Sequence, residues 1–288
     1  MSKLTIMRGL PASGKTTRAK EIMEASGNMI RVNKDLLREM LHFSKWKGSN
    51  ESITKAMAYC VAKQCLISGI NVIIDDTNLN EGTFQGWKGL AKEMELEAKV
   101  VKMDTSLEEC LKRDLTRKKS VGENVIIGMA MQHGLYPKPK KGIIICDIDG
   151  TLAEVTHRRK YSSGPEKNWD KFFSLIHEDD IRKDVSNKLY KFADEGYKIF
   201  FVSGRPEKYR EETKHWIGVK TYGELPYETI FMRPNNDKRD DTEVKKDIYN
   251  KYFKDLVIHK VLDDRPRVIK MWKEQGLDVE DVGDGIDF

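Results

Sequence analysis

The chain has 288 residues, of which 39% are hydrophobic and 34% charged. That is length for two ordinary domains, each able to bury its own core. No apolar run approaches the roughly 18 residues of a membrane span, so a membrane partner is excluded from the reading. Net charge is +5 but unevenly placed: residues 1–141 carry 24 Lys and Arg against 16 Asp and Glu, and residues 142–288 carry 27 against 30. A basic front half suits an anionic partner such as a polynucleotide, although a solvated basic surface gives the same count.

Read in chain order, short β-rich runs at Leu4 to Arg8, Met29 to Val32, Asn71 to Asp75 and Ala98 to Met103 alternate with helical stretches. The helices expected are Lys15 to Ala25, Glu51 to Ile67, Glu81 to Glu93 and Leu107 to Thr116. This order predicts a parallel sheet wound with helices. Tyr136 to Gly142 then breaks the periodicity with two prolines and three lysines, as a linker would. After it the pattern restarts, with strands at Ile143 to Asp147, Tyr197 to Ser203, Thr229 to Met232 and Ile258 to Asp263. Helices are expected at Val185 to Ala193, Lys208 to Ile217, Val244 to Tyr252 and Val268 to Glu274. The fold class is therefore α/β with two doubly wound domains, 1–135 and 143–288, joined by a 136–142 linker. Cys60, Cys65, Cys110 and Cys146 lack zinc-ligand or CxxC spacing and read as buried thiols. The first residues run straight into a strand-like stretch without a signal-peptide core, which points to the cytoplasm.

Gly9-Leu10-Pro11-Ala12-Ser13-Gly14-Lys15-Thr16 satisfies the Walker A pattern between a strand and a helix, the context that pattern requires. Glycines at both ends let backbone N–H groups face a β-phosphate at a helix N-terminus. Lys15 would neutralise β- and γ-phosphate oxygens and Thr16 would offer its hydroxyl to Mg²⁺. The ATP set is completed by Gly9, Ser13, Gly14, Thr17, Arg113 and Arg117. Phosphoryl transfer also needs a base at the acceptor hydroxyl. Asp35 follows the second strand at the sheet edge where such folds bind ligands, and Arg38 shares its face of the opening helix. Asp75-Asp76 ends the third strand, where Asp75 or Asp76 could organise Mg²⁺, its water or the substrate. Arg113 to Gly122 concentrates cations at the position of a lid, and Arg117 is the expected transition-state clamp, with Arg113 second.

Asp147-Ile148-Asp149-Gly150-Thr151 follows a buried-strand run and spaces two carboxylates to reach one phosphate from a single loop. One carboxylate can attack phosphorus and the other can protonate the leaving oxygen, then activate water. Later segments supply the neutralisation such an attack needs: Ser203-Gly204-Arg205, then Lys245 or Lys246, then Asp263-Asp264 to hold Mg²⁺.

This second set resembles the haloacid dehalogenase superfamily. The resemblance implies Asp147 as nucleophile, Asp149 as acid/base, Ser203 and Gly204 at the phosphate, Lys245 as the neutralising lysine, and Asp147, Asp149, Asp263 and Asp264 at the metal. Taken together, Walker A, Asn33-Lys34-Asp35-Leu36-Leu37-Arg38, Asp75-Asp76-Thr77-Asn78, the basic lid, the Asp147 loop, Ser203-Gly204-Arg205 and Leu262-Asp263-Asp264-Arg265 resemble the phage-type polynucleotide 5′-kinase/3′-phosphatases. By that resemblance Asp35 takes the proton of a 5′-hydroxyl, Arg38 and Asp76 meet the acceptor nucleotide, and Arg158 and Arg205 lie near the 3′-phosphate. It further implies ATP and Mg²⁺ as cofactors, DNA or RNA ends with 5′-OH and 3′-phosphate or 2′,3′-cyclic phosphate as substrates, a separate nucleic-acid ligase as partner, and a homo-oligomer. Trp46 and Trp87 are the aromatic candidates for base stacking, with a core position the alternative for each. The competing readings are a bifunctional kinase/phosphatase for a small metabolite, and a nucleic-acid adaptor that has no need of Lys15, Asp35, Asp147 or Asp149.

Overall fold

A computed structural model describes residues 2–45, 47–163 and 166–285. Trp46 lies outside them. The chain divides into two compact units, Met1–Tyr136 and Pro137–Phe288. Tyr136, expected in the linker, belongs to the first unit: its ring is buried and its amide donates to the Ala130 carbonyl at 3.0 Å.

The first unit runs β1 (Leu4–Arg8), α1 (Lys15–Ser26), β2 (Met29–Val32), α2 (Lys34–His42), α3 (Gly48–Ile67), β3 (Asn71–Ile74), α4 (Glu81–Glu93), β4 (Ala98–Lys102), α5 (Leu107–Leu115) and α6 (Glu123–Gln132). Its four strands are parallel in the order β2-β3-β1-β4. Period-two alternation splits β3 between the two helical layers. Val72 and Ile74 pack with Leu4, Ile6, Ala62 and Trp87, whereas Ile73 packs with Met7 and Ala19 on the opposite face. Two helices exceed the sequence reading. Helix α2 is capped by Asn33, whose side chain accepts from the Leu36 amide at 3.0 Å, and α6 follows the basic lid.

The second unit runs β5 (Ile143–Cys146), β6 (Ala153–Glu154), α7 (Thr156–Arg159), α8 (Trp169–Ser174), β7 (Asp180–Ile181), α9 (Lys183–Asp194), β8 (Lys198–Pro206), α10 (Arg210–Lys220), β9 (Thr229–Arg233), α11 (Asp241–Ile248), β10 (Ile258–Asp263), α12 (Pro266–Glu274) and β11 (Val279–Asp281). The main sheet is parallel in the order β11-β10-β5-β8-β9. All four residues of β5 are buried, as a central strand covered on both faces requires. Between β5 and α9 the described residues form the β6–β7 pair, α7, α8 and a 3₁₀ turn at Ile176–Glu178, which make a small cap and agree with the roughly 35 residues that the sequence leaves there.

Candidate active sites

In both units the sheet order explains why residues far apart in sequence meet. Strand β1 lies between β3 and β4, so the loop leaving β1 comes up beside the carboxyl end of β3. Thr16 at the start of α1 accordingly donates its hydroxyl to Asp75 at 2.9 Å. Gly14 adopts φ +90°, a left-handed turn closed to most side chains, and opens the helix behind it. The Lys15 ammonium folds back onto the Leu10 carbonyl at 2.5 Å. Burial lowers its pKa to about 8, partly offset by Asp75.

A cavity of about 780 Å³ holds Gly14, Lys15, Thr16 and Thr17 against Asp35, Arg38, Asp75, Asp76, Arg113 and Arg117. The expected ATP and acceptor residues are thus brought together, apart from Gly9 and Ser13, which stand behind the wall. Gly9 donates its amide to Thr77 at 3.0 Å, and buried Ser13 accepts from Lys15 at 3.4 Å. Asp35 remains 84% exposed in its side chain, free to meet an acceptor hydroxyl. Arg38 is aimed by two carboxylates: Asp35 at 2.5 Å and Glu51, from α3, at 2.9 and 3.1 Å. Asp76 accepts from the Lys34 amide at 3.0 Å, and burial raises its pKa against the pull of Lys34.

The lid arginines are partnered from below. Arg113 donates to Glu109 at 2.7 Å and Arg117 pairs with Asp114 at 3.3 Å. Asp114 also accepts from Ser120 at 2.6 Å and from the Val121 and Gly122 amides at 3.0 Å, so it sets the turn into α6. Trp87 does not reach this cavity. It is 5% exposed and packs in the core beside Tyr59, ring centroids 6.2 Å apart. The apolar face of α4 absorbed it, which corrects the stacking role considered from sequence. Cys110 and Cys146 are buried as expected, whereas Cys60 is exposed.

In the second unit β5 lies between β10 and β8, so Asp147, Asp263 and Ser203 come off three adjacent strand ends. Carboxylate oxygens of Asp147, Asp263 and Asp264 fall within 4.8 Å of one another. Lys245 on α11 stands 2.9 Å from Asp147 and donates to Asp263 at 2.9 Å. Lys246 is exposed, so Lys245 is the lysine at this site. Trp272 donates to Asp263 at 3.1 Å and Thr151 to Asp264 at 2.9 Å, fixing both acids. Gly150, at φ +86°, admits Asp264: a Cβ there would sit 2.0 Å from its Oδ2.

Four buried carboxylates, Asp147, Asp241, Asp263 and Asp264, face the Lys245 ammonium and the Arg265 guanidinium, which leaves a surplus of negative charge. Burial pushes Asp147 well above the usual carboxylate range, with Lys245 opposing the shift and Asp263 and Asp264 adding to it. Burial and the charge of Asp263 likewise raise Asp264 to about 6. On Lys245, burial is outweighed by Asp147, Asp263 and Asp241, which hold the ammonium charged well above the ordinary lysine range. Hard oxygen donors with surplus charge fit a divalent cation such as Mg²⁺.

Asp149 is not in that cluster, contrary to its expected place among the metal acids. Its side chain turns to Arg158, at 2.6 Å, and to Arg205, at 2.6 and 3.0 Å. Burial alone would raise its pKa, but the two guanidiniums hold it well below the usual range. Ser203 is buried and accepts from the Arg205 amide at 3.2 Å, while the Gly204 carbonyl accepts from Arg233 at 2.9 Å.

Sequence reasoning missed two acids of this site. Asp179 is fully buried and holds both Arg158, at 2.6 Å, and Arg205, at 3.2 Å. Asp241 lies 3.5 Å from Lys245 and is in turn met by Arg233 and Arg265 at 3.2 and 3.4 Å. A helical-period signal existed for Asp241: with Val244, Lys245 and Ile248 it forms the buried face of α11. Asp179 offered none, since it sits in an acidic run that reads as solvated surface.

A P-loop kinase-like unit followed by a haloacid dehalogenase-like unit is the class these folds and sites define. Residues 141–288 match the family of the polynucleotide kinase PNKP phosphatase domain, and residues 4–134 match an AAA domain family. The first match covers more than half of the chain, and the chain belongs to the polynucleotide kinase PNKP phosphatase-domain family. It is similar to a putative bifunctional polynucleotide kinase/RNA ligase of Autographa californica nuclear polyhedrosis virus, 26% identical over 94% of this chain. It is also similar to an L-seryl-tRNA(Sec) kinase of Methanococcus maripaludis, 30% identical over 44% of this chain. The matched segments span 41% and 50% of those two relatives. Among solved structures, a chain of the Pnkp1/Rnl/Hen1 RNA repair complex is 26% identical, with 99% of this chain and 96% of that one covered and a TM-score of 0.44. Among the described residues no helix is long and apolar enough to cross a membrane.

Proposed function

We propose that this chain heals nucleic-acid ends, transferring the γ-phosphate of ATP to 5′-hydroxyls and removing 3′-phosphates. The observation that supports the reading is that one chain holds two clusters suited to opposite phosphate chemistry, Lys15 with Thr16 and Asp75, and Asp147 with Lys245 and Asp263. Adding and removing phosphate at one position would be futile. At opposite ends of a broken strand the two reactions are complementary, and they yield the 5′-phosphate and 3′-hydroxyl that a separate nucleic-acid ligase joins.

In the first unit the P-loop amides and Lys15 hold the triphosphate while Asp35 takes the acceptor proton. Arg38, already steered by Glu51, positions the acceptor phosphate, and Arg113 and Arg117 neutralise the migrating group. In the second unit an Asp147 oxygen bonds to phosphorus as the bond from phosphorus to the 3′-oxygen breaks, and Asp149 donates its proton to that oxygen. Asp149, held ionised by buried Arg158 and Arg205 in the ligand-free site, takes that proton from solvent as the negative charge of the arriving phosphate raises its proton affinity. Asp149 then takes a proton from water, whose oxygen displaces Asp147 and releases phosphate. Mg²⁺ held by Asp147, Asp263 and Asp264 would neutralise charge on the phosphoryl group.

Labelled ATP offered with 5′-OH DNA, 5′-OH RNA and a free nucleoside 3′-phosphate in parallel tests the reading. Transfer to the polynucleotides supports it; transfer to the nucleoside alone would favour a metabolite kinase.

A further inference from the structure

The cavity that opens onto the second site is larger than a phosphate needs. It measures about 610 Å³ and continues from Asp147 and Asp149 to Trp169, Phe173, Pro206 and Lys208. Its two ends differ in chemistry. One is the acid and arginine cluster already described; the other is an aromatic wall carried by α8.

Trp169 is 41% exposed although it begins a helix whose next aromatics, Phe172 and Phe173, are buried. A ring that only filled the core would be covered with them. Instead its inner side is braced, edge-on to Phe172 at 5.6 Å and stacked with Phe173 at 6.0 Å, and Phe173 packs on Tyr209 at 5.1 Å. Asn168 caps the turn, accepting from the Lys171 amide at 2.9 Å. Lys208 ties it to the segment that follows Ser203–Arg205 by donating to Asp170 at 3.0 Å. The indole is thereby supported on its inner side before any ligand arrives. The Lys167 ammonium, 5.5 Å from its ring centroid, sits on a flexible stem that a flat ligand can displace.

We propose that Trp169 is the stacking platform for the base of the 3′-terminal nucleotide, whose phosphate lies at Asp147. The proposal rests on the end-healing reading and names what that site grips beyond phosphate. Every nucleobase has a flat π face to place on an exposed, braced indole, which a phosphate or a short polar chain lacks. The cavity volume falls within the usual range for a single small ligand, about 300 to 1,000 Å³. Lys208, Lys238 and Arg239 on the same lining offer cations to the neighbouring backbone phosphate.

The test compares two single-stranded oligonucleotides that differ only in whether the terminal 3′-phosphorylated sugar carries a base. The wild-type protein should show a KM on the order of ten-fold lower for the base-bearing end at similar kcat. Trp169→Ala should erase that ratio and Trp169→Phe should keep most of it. Equal kcat/KM for the two ends in the wild type, or a ratio that survives Trp169→Ala, would overturn the subsite while leaving the end-healing reading intact. Release of phosphate from neither oligonucleotide, with p-nitrophenyl phosphate still hydrolysed, would instead overturn the polynucleotide reading and the subsite with it. If Trp169→Ala fails to fold, Trp169→Leu, which keeps bulk but no aromatic face, should erase the ratio in its place, and a ratio that survives it would overturn the subsite.

Discussion

Asp179 accepts from Arg158 at 2.6 Å, and neither side chain has any exposure to solvent. The same carboxylate reaches Arg205, so one buried acid aligns both guanidiniums that grip Asp149. Removing it leaves two buried cations facing one carboxylate, and breaking a buried pair in this way costs about 3–5 kcal/mol. Asp179→Ala should therefore lower the thermal transition of the second unit and abolish 3′-phosphate release. Transfer from ATP to a 5′-OH end should persist, and calorimetry with both activity assays checks the pair.

Lys245 and Lys246 are neighbours in sequence but not in environment. Lys245→Met should reduce phosphate release on the order of 10²-fold or more, because Asp147 and Asp263 lose the ammonium that stands 2.9 Å from each. Lys246→Ala should stay within about two-fold, as expected for an exposed side chain remote from such features. Steady-state rates on one 3′-phosphorylated oligonucleotide distinguish them.

Much of this was legible because it is local. Walker A and the Asp147 loop are contiguous, and strand ends in a parallel sheet face one edge, so Asp75, Asp263 and Ser203 could be placed without coordinates. What the sequence hid depends on pairing across long intervals. Glu51 on Arg38 and Asp179 on Arg158 each look like one more surface acid until the chain is folded. Trp87 stayed undecided between stacking and core for the opposite reason, since an aromatic on an amphipathic helix reads the same whether it lines a core or a ligand cavity. Trp169 escaped notice entirely: its exposure is a property of how α8 sits on Tyr209 and Lys208, not of its neighbours in sequence.

Gly150 leaves no room for a methyl group. Gly150→Ala must move either the loop or Asp264, whose Oδ2 would lie 2.0 Å from the new Cβ, and the residue's φ of +86° adds strain. The variant should need markedly more Mg²⁺ for half-maximal phosphate release. A Mg²⁺ titration compared with wild type reads this directly.

Lys15 sets the alkaline limit of the first activity. Burial lowers its pKa to about 8, so the ammonium that binds phosphate is lost from the free protein as pH rises through that value. The value of kcat/KM for ATP should fall above pH 8 and hold steady below it. Lys15→Arg, charged at every accessible pH, should lack that limb whatever residual rate it keeps.

The central claim is that two independent sites act on opposite ends of one strand. Mass spectrometry of an oligonucleotide bearing 5′-OH and 3′-phosphate, incubated with ATP and Mg²⁺, tests it most directly. The wild type should exchange the ends at unchanged mass, Asp35→Asn should give a product lighter by one phosphoryl group, and Asp147→Asn a product heavier by one. If either substitution, in a folded protein, blocked both reactions, the two-site account would be contradicted.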